Sequence, residues 1–247
     1  MSGNGSSPRR HGDTENDAPK KLTADEQTIL DVLTLGSQVR ERVHEKSAFL
    51  EAFHDAMAAG HRNENGDPDE SGEHVTWLSI MGYMTLLDMI GRCFAPKNGK
   101  HDHNSGNLCF VKDALERFSD EKFSPDQLNA LHALRCSLAH DYSAVRNERG
   151  PYHVFDYAFD QPGETVGLPE KPWDGKWATA KDHITHIGVH QLVRLVHDLF
   201  GDVQKMATRG ELECVLPGGV EELTERYRVV TTESPSVSPC LRGKKGR

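Results

Sequence analysis

Between Leu134 and Tyr142 the chain reads LRCSLAHDY, and two of these residues suit phosphate chemistry. The guanidinium of Arg135 is a planar fork that grips phosphate oxygens and stabilises charge building up on them. Imidazole is the side-chain group whose ordinary pKa lies near neutrality, which makes His140 the candidate for acid–base work. Cys136 and Ser137 lie between the two, and Asp141 and Tyr142 follow.

The element carrying the pair must be a helix. Ser124-Pro125 reads as an N-cap followed by proline at the first helical position, which opens a helix running to about Tyr142. At 100° per residue, Leu128, Leu131, Leu134, Leu138 and Tyr142 fall within about 120° of one another, and Arg135 falls inside that apolar stripe. A guanidinium in such a stripe requires a carboxylate or a bound anion. Asp88, set within the run Leu86 to Ile90, is the internal candidate, and the competing arrangement is an i,i+4 pair of Asp88 with Arg92. On a continuous α-helix His140 lies about 140° from Arg135. It shares its side with Asn129, Ala133, Cys136 and Ser137, small or polar residues that let another helix approach closely. Within one continuous helix the two groups therefore do not converge well; a two-fold axis, or a kink or fraying near the helix end, would bring them together.

The rest of the pattern is mainly helical. Thr23 caps a helix bearing Ile29, Leu30, Val32 and Leu33, broken at Gly36. Ser37 to Gly60 and Val75 to Phe94 also carry apolar residues at helical spacing, and the second is apolar on nearly all sides, so it belongs at the centre of the core. A short helix is expected over Asn107–Phe118 and a strongly amphipathic final helix from Val189 to Val203. Tyr152–Phe159 is aromatic and β-leaning, and Ile184–Val189 is its expected partner in a small sheet. The fold class expected is thus mainly α, a helical bundle with a small β insertion and disordered termini. Residues 1–21 form a polar tail and 22–210 the helical domain, with the insertion at about 150–189. Residues 211–231 add a short strand and a C-terminal extension, and 232–247 a basic tail.

These features resemble the HEPN domains, helical modules of bacterial toxins, abortive-infection proteins and CRISPR-associated ribonucleases, whose signature is Arg-x4-His. The likeness covers about Thr23 to Ser143. It implies a site shared by two copies of the domain that cleaves RNA without a metal or other cofactor. Arg135 would hold the scissile phosphate, His140 would handle protons and the RNA's own 2′-hydroxyl would attack. Asp88, Cys136, Ser137, Asp141 and Tyr142 would support them. The implied partners are RNA, a second copy of the chain and an antitoxin protein. The residue after the arginine, often polar in catalytic members, is here Cys136, a weak hydrogen-bonding group. The alternative is accordingly a non-catalytic module of the same kind that binds RNA, a nucleotide or a protein partner.

Composition narrows the remaining classes. A formal charge of −9 over 247 residues argues against a sequence-blind polyanion coat, although the last residues, from Arg242, are basic. Five widely spaced cysteines without a CxxC fit a reducing, cytoplasmic setting. No run of eighteen apolar residues predicts a membrane span, and the polar start predicts no secretory signal. GxSxG, Walker A, HExxH and GxGxxG are all missing from the sequence. His101, His103 and Cys109 match no closed zinc spacing. His183, His186, His190 and His197 read as surface or packing residues. Trp77 belongs to the core stripe, while Trp173 and Trp177 read first as docking residues and second as stacking platforms for bases.

Overall fold

The computed structural model describes residues 21–34, 38–40, 43–60, 77–99, 110–146, 152–158 and 163–232. Within them the chain is mainly helical. The central helix is α3 (Trp77–Cys93), whose Ile80, Met84, Leu86, Leu87 and Ile90 are all but sealed from solvent. Around it lie α1 (Ala24–Thr34), α2 (Ala48–Gly60), α4 (Phe110–Phe118), α5 (Pro125–Cys136) and the long α6 (Val189–Thr208). Small residues set the closest approaches. A side chain at Gly82 would strike Ala56 of α2, and one at Gly91 would strike the first turn of α4.

Both caps read from the sequence are present. Thr23 Oγ1 accepts the Glu26 N–H at 3.3 Å while Glu26 returns a carboxylate to the Thr23 N–H at 2.7 Å. Ser124 and Gln127 make the same reciprocal pair at the start of α5, at 3.2 and 2.9 Å. Gln127 also donates to the Val166 carbonyl at 3.0 Å, which fastens the start of α5 to the β region. Ser124→Ala should therefore lower unfolding stability by about 1 kcal/mol, read as a reduced urea midpoint at unchanged slope.

The two β-leaning segments pair, through Val154–Ala158 and Ile184–Gly188. β5 (His153–Ala158) and β7 (Ile184–Gly188) run parallel in a four-stranded sheet of order β4-β5-β7-β6, completed by β4 (Val145–Arg146) and β6 (Val166–Gly167). Three expectations need correction. Only the second half of Ser37–Gly60 is helical; its first half is a hairpin of β1 (Gln38–Arg40) and β2 (Val43–Ser47), extended by β9 (Arg228–Thr232). Val39 and Val43 fit a strand as readily as a helix, and it is β9, far along the chain, that decides between them. The helix from Val189 is followed by another, α7 (Gly219–Tyr227), and Leu212–Cys214 is the short strand β8, paired with β3 (Phe94–Pro96). The helix of the motif ends at Cys136, with a single π-helical turn over Ser137–Asp141.

The group His101, His103 and Cys109, Cys240, and the tails before residue 21 and after residue 232 lie outside the described residues. Among the described residues no helix is long and apolar enough to cross a membrane.

Candidate functional site

The leucine stripe of α5 packs as expected: Leu128, Leu131, Leu134 and Leu138 are buried. Arg135, at its margin, keeps part of its side chain in solvent and places Nη2 3.1 Å from Asp88 Oδ2 on α3. Arg92, the other partner considered for Asp88, instead lays its guanidinium 4.6 Å over the Phe110 ring. The carboxylate of Asp88 is largely covered, so its pairing with Arg135 fixes the guanidinium at the α3–α5 seam.

The π turn changes the geometry of the Arg-x4-His spacing. Ser137 is fully buried, and its hydroxyl donates to the Ala133 carbonyl at 2.8 Å, a back-bond that loosens the ladder where the widening starts. Its own carbonyl accepts the N–H groups of both Tyr142 and Ser143. Residues five apart in a π turn stack much as residues four apart do in an α-helix. With one α step followed by wider steps of about 82°, His140 lies about 70° from Arg135 instead of about 140°. The sequence reading allowed a kink or fraying at this end of the helix; a π turn stands there, and by ideal geometry it narrows the angle between the two residues. His140 and Asp141 are exposed on this turn.

Tyr142 closes the turn in the left-handed region, at φ 47°. For a non-glycine residue that conformation costs about 1–2 kcal/mol. The shifted phase also takes Tyr142 off the leucine stripe, where the sequence placed it. It is 57% exposed, with its ring 5.7 Å from that of Trp77. Trp77 in turn lies 5.4 Å from the Tyr157 ring.

The structure adds residues that the motif alone did not single out. His132 precedes Arg135 by three positions and so lies beside it on the helix. Its ring rests on the buried Cys136, with Sγ 3.7 Å from Nε2 and 3.9 Å from Nδ1. Cys136 is thus a packing surface for an imidazole. Burial pushes the His132 pKa down, the cations Lys112, Arg146 and Arg135 push it further, and Asp88 opposes them. Lys112 comes from α4, where it donates to Asn129 Oδ1 of α5, and Arg146 comes from β4. Three cations thus lie near enough to His132 to disfavour its charging, and one of them, Arg135, pairs with Asp88. The helical i,i+3 spacing was the available signal for His132. Lys112 and Arg146 arrive by tertiary packing and left none.

The other histidines separate. His183 Nδ1 lies 2.9 Å from the Lys171 carbonyl oxygen, His186 pairs with Asp156 across β5 and β7 at 3.5 Å, and His197 meets Tyr83 Oη at 2.9 Å. Trp173 is buried, whereas Trp177 is 63% exposed. Cys93 and Cys136 are buried free thiols. Among the described residues no group of three His, Cys, Asp or Glu side chains is placed to hold a metal ion.

Burial lowers the pKa of His132 and of His153 alike. Above the unfolded imidazole value of about 6.5 both are neutral in either state and their contribution is complete. As pH falls below it, the unfolded chain takes up protons that the folded chain resists, so stability drops until the folded pKa values are passed. The urea midpoint should decline on going from pH 7.5 to 5.5, and His132→Gln should flatten part of that decline. Comparison with protein-family models, with curated proteins and with solved structures returns no match.

Proposed function

We propose that this chain is a HEPN-like endoribonuclease of the toxin or phage-defence kind, acting in the cytoplasm as a homodimer on single-stranded RNA. The observation that carries this reading is Arg135, held by Asp88 at the end of α5, followed at once by a π turn that presents the exposed His140, with Lys112 and Arg146 close enough to act on the neighbouring His132. A phosphodiester held by these cations gains charge on its non-bridging oxygens as the 2′-oxygen attacks phosphorus, and that charge is what they stabilise. A base takes the 2′-hydroxyl proton, the P–O5′ bond breaks and the leaving 5′-oxygen receives a proton. The products are a 2′,3′-cyclic phosphate and a 5′-hydroxyl. His140, from one copy or both, serves these proton transfers. His132, kept neutral and seated on Cys136, positions Arg135 and the phosphate.

The test is incubation of the purified full chain with single-stranded RNA in EDTA. Cleavage leaving cyclic phosphate ends is the expected result, and a substrate with 2′-deoxy sugars should stay intact. No cleavage by the parent chain, or equal cleavage after His140→Ala, overturns the reading. A second reading, a non-catalytic HEPN-like module binding RNA, a nucleotide or a protein partner, is favoured by the hold of Asp88 on Arg135. It predicts RNA binding without product in the same assay.

A further inference from the structure

A concavity lies between the first half of α5, the start of β5 and the segment leading to Trp173. Its volume is about 240 Å³, below the roughly 300–1,000 Å³ of sites for drug-sized ligands, so it suits one small head group. Leu168, Pro169, Pro172 and the rings of Tyr152 and Trp173 give it mostly apolar walls. The two rings stand at 76° to each other with centroids 6.3 Å apart. They form a corner, which fits a rounded group better than a flat one. The corner is built in. A backbone bridge joins Tyr152 to Trp173, and the Trp173 indole N–H donates to the Lys176 carbonyl at 2.9 Å. Gly175, at φ 82°, brings that turn against the Tyr152 ring, where a Cβ would lie 3.4 Å away. Trp173 is buried by this packing, while Tyr152 stays 37% exposed and is the ring that a ligand meets.

The charge on the rim has one sign. Asp126 and Glu170 line the cavity, both are exposed, and neither makes a hydrogen bond or ion pair among the described residues. No Lys or Arg side chain of the described residues lines it. Asn129 does, and it ties down the Lys112 ammonium through its Oδ1. His153 also lines the cavity, but its Nε2 is sealed within the protein. Burial pushes its pKa down, against the pull of Asp126, so at neutral pH it adds no positive charge. The positive end of the α5 dipole is answered by Asp126 in the first turn and by the Ser124–Gln127 capping pair.

Two carboxylates over an apolar, aromatic corner attract a cation and repel an anion. The kind of cation follows from its own hydrogen bonds. A guanidinium or a primary ammonium carries several N–H donors, and those turned to the apolar walls would go unpaired at a cost. A quaternary ammonium has no N–H. It gains from the Tyr152 face and from both carboxylates through charge alone, and its methyl groups pack against the leucine and prolines.

We propose that the cavity cornered by Tyr152 and Trp173 and edged by Asp126 and Glu170 binds the quaternary ammonium head of a small molecule. This inference is independent of the ribonuclease reading. Choline is the probe, titrated into the full chain and followed by ligand-observed NMR beside two analogues. One is its neutral isostere, with a tert-butyl group in place of trimethylammonium, which removes the charge at constant shape. The other is ethanolamine, which keeps the charge and removes the methyl groups. Choline should bind saturably and roughly tenfold more tightly than either. Asp126→Asn combined with Glu170→Gln should bring choline to the level of the neutral isostere with an unchanged unfolding midpoint, since both positions are exposed. Tyr152→Phe should keep choline binding and Tyr152→Leu should lose it, which separates the ring from its bulk. If Tyr152→Leu also lowers the unfolding midpoint, the double carboxylate variant decides. The proposal is overturned by absence of saturable choline binding, by equal binding of choline and either analogue, or by indifference to the double variant. Binding of phosphatidylcholine vesicles without binding of free choline overturns it as well.

Discussion

His140→Ala is expected to slow cleavage of single-stranded RNA by roughly 10²–10⁴-fold, the range lost with a positioned acid or base, without lowering the thermal midpoint. His140 is exposed on the π turn, so its truncation should change stability by less than about 0.5 kcal/mol. Arg135 needs a different substitution. Removing it with alanine would strand the largely covered Asp88 carboxylate, and lost activity would then be confounded with lost fold. Arg135→Lys keeps a positive charge against Asp88 but removes the planar fork, so it should reduce the rate by roughly 10²–10³-fold, as loss of one transition-state donor does, with the fold retained. Single-turnover assays in EDTA beside thermal melts separate the two effects. Wild-type rates in both variants would show that these residues do not act on RNA.

The placement of Arg135 was legible because an arginine inside a leucine stripe has few ways to be satisfied, and Asp88 is the acid set within the central apolar helix. Its relation to His140 was not. A π turn has no periodic signature of its own, and nothing in SLAHD distinguishes it from one more α turn until the Ser137 hydroxyl is seen bonded to Ala133. The helices with strong apolar spacing, α3 and α6 above all, and the Ser124 cap follow from local pattern. The β1–β2 hairpin and α7 do not. The first depends on a partner strand from the far end of the described chain, and the second is a short segment that buries Leu223 alone. The same division holds in the site. What lies on one helix, such as His132 beside Arg135, was available from spacing, while Lys112, Arg146 and the wall of Trp173 against Tyr152 exist only once separate elements pack.

That packing depends on one small residue in particular. Gly91→Ala should be the most damaging single-methyl change in the described structure. A Cβ at position 91 would overlap the Phe110 carbonyl oxygen and lie 2.7 Å from the Ala114 nitrogen, both backbone atoms of α4. No side-chain rotation relieves such a contact, so α3 and α4 must separate. Overpacking of this kind costs about 1–3 kcal/mol and sometimes more, which exceeds the roughly 1 kcal/mol that alanine gains over glycine in a helix. Net of that gain the loss is about 1–2 kcal/mol, so for a chain of this size the thermal midpoint should fall by about 2–8 °C. Gly201→Ala is the control: it lies within α6, its Cβ would meet nothing within 4 Å, and the propensity gain stands alone. That variant should be more stable than the parent by about 0.5–1 kcal/mol. The two substitutions are chemically identical and should move the midpoint in opposite directions. Because α4 also carries Lys112, Gly91→Ala should weaken RNA binding where Gly201→Ala does not; parallel behaviour of the two would mean that the α3–α4 contact sets neither the stability nor the site.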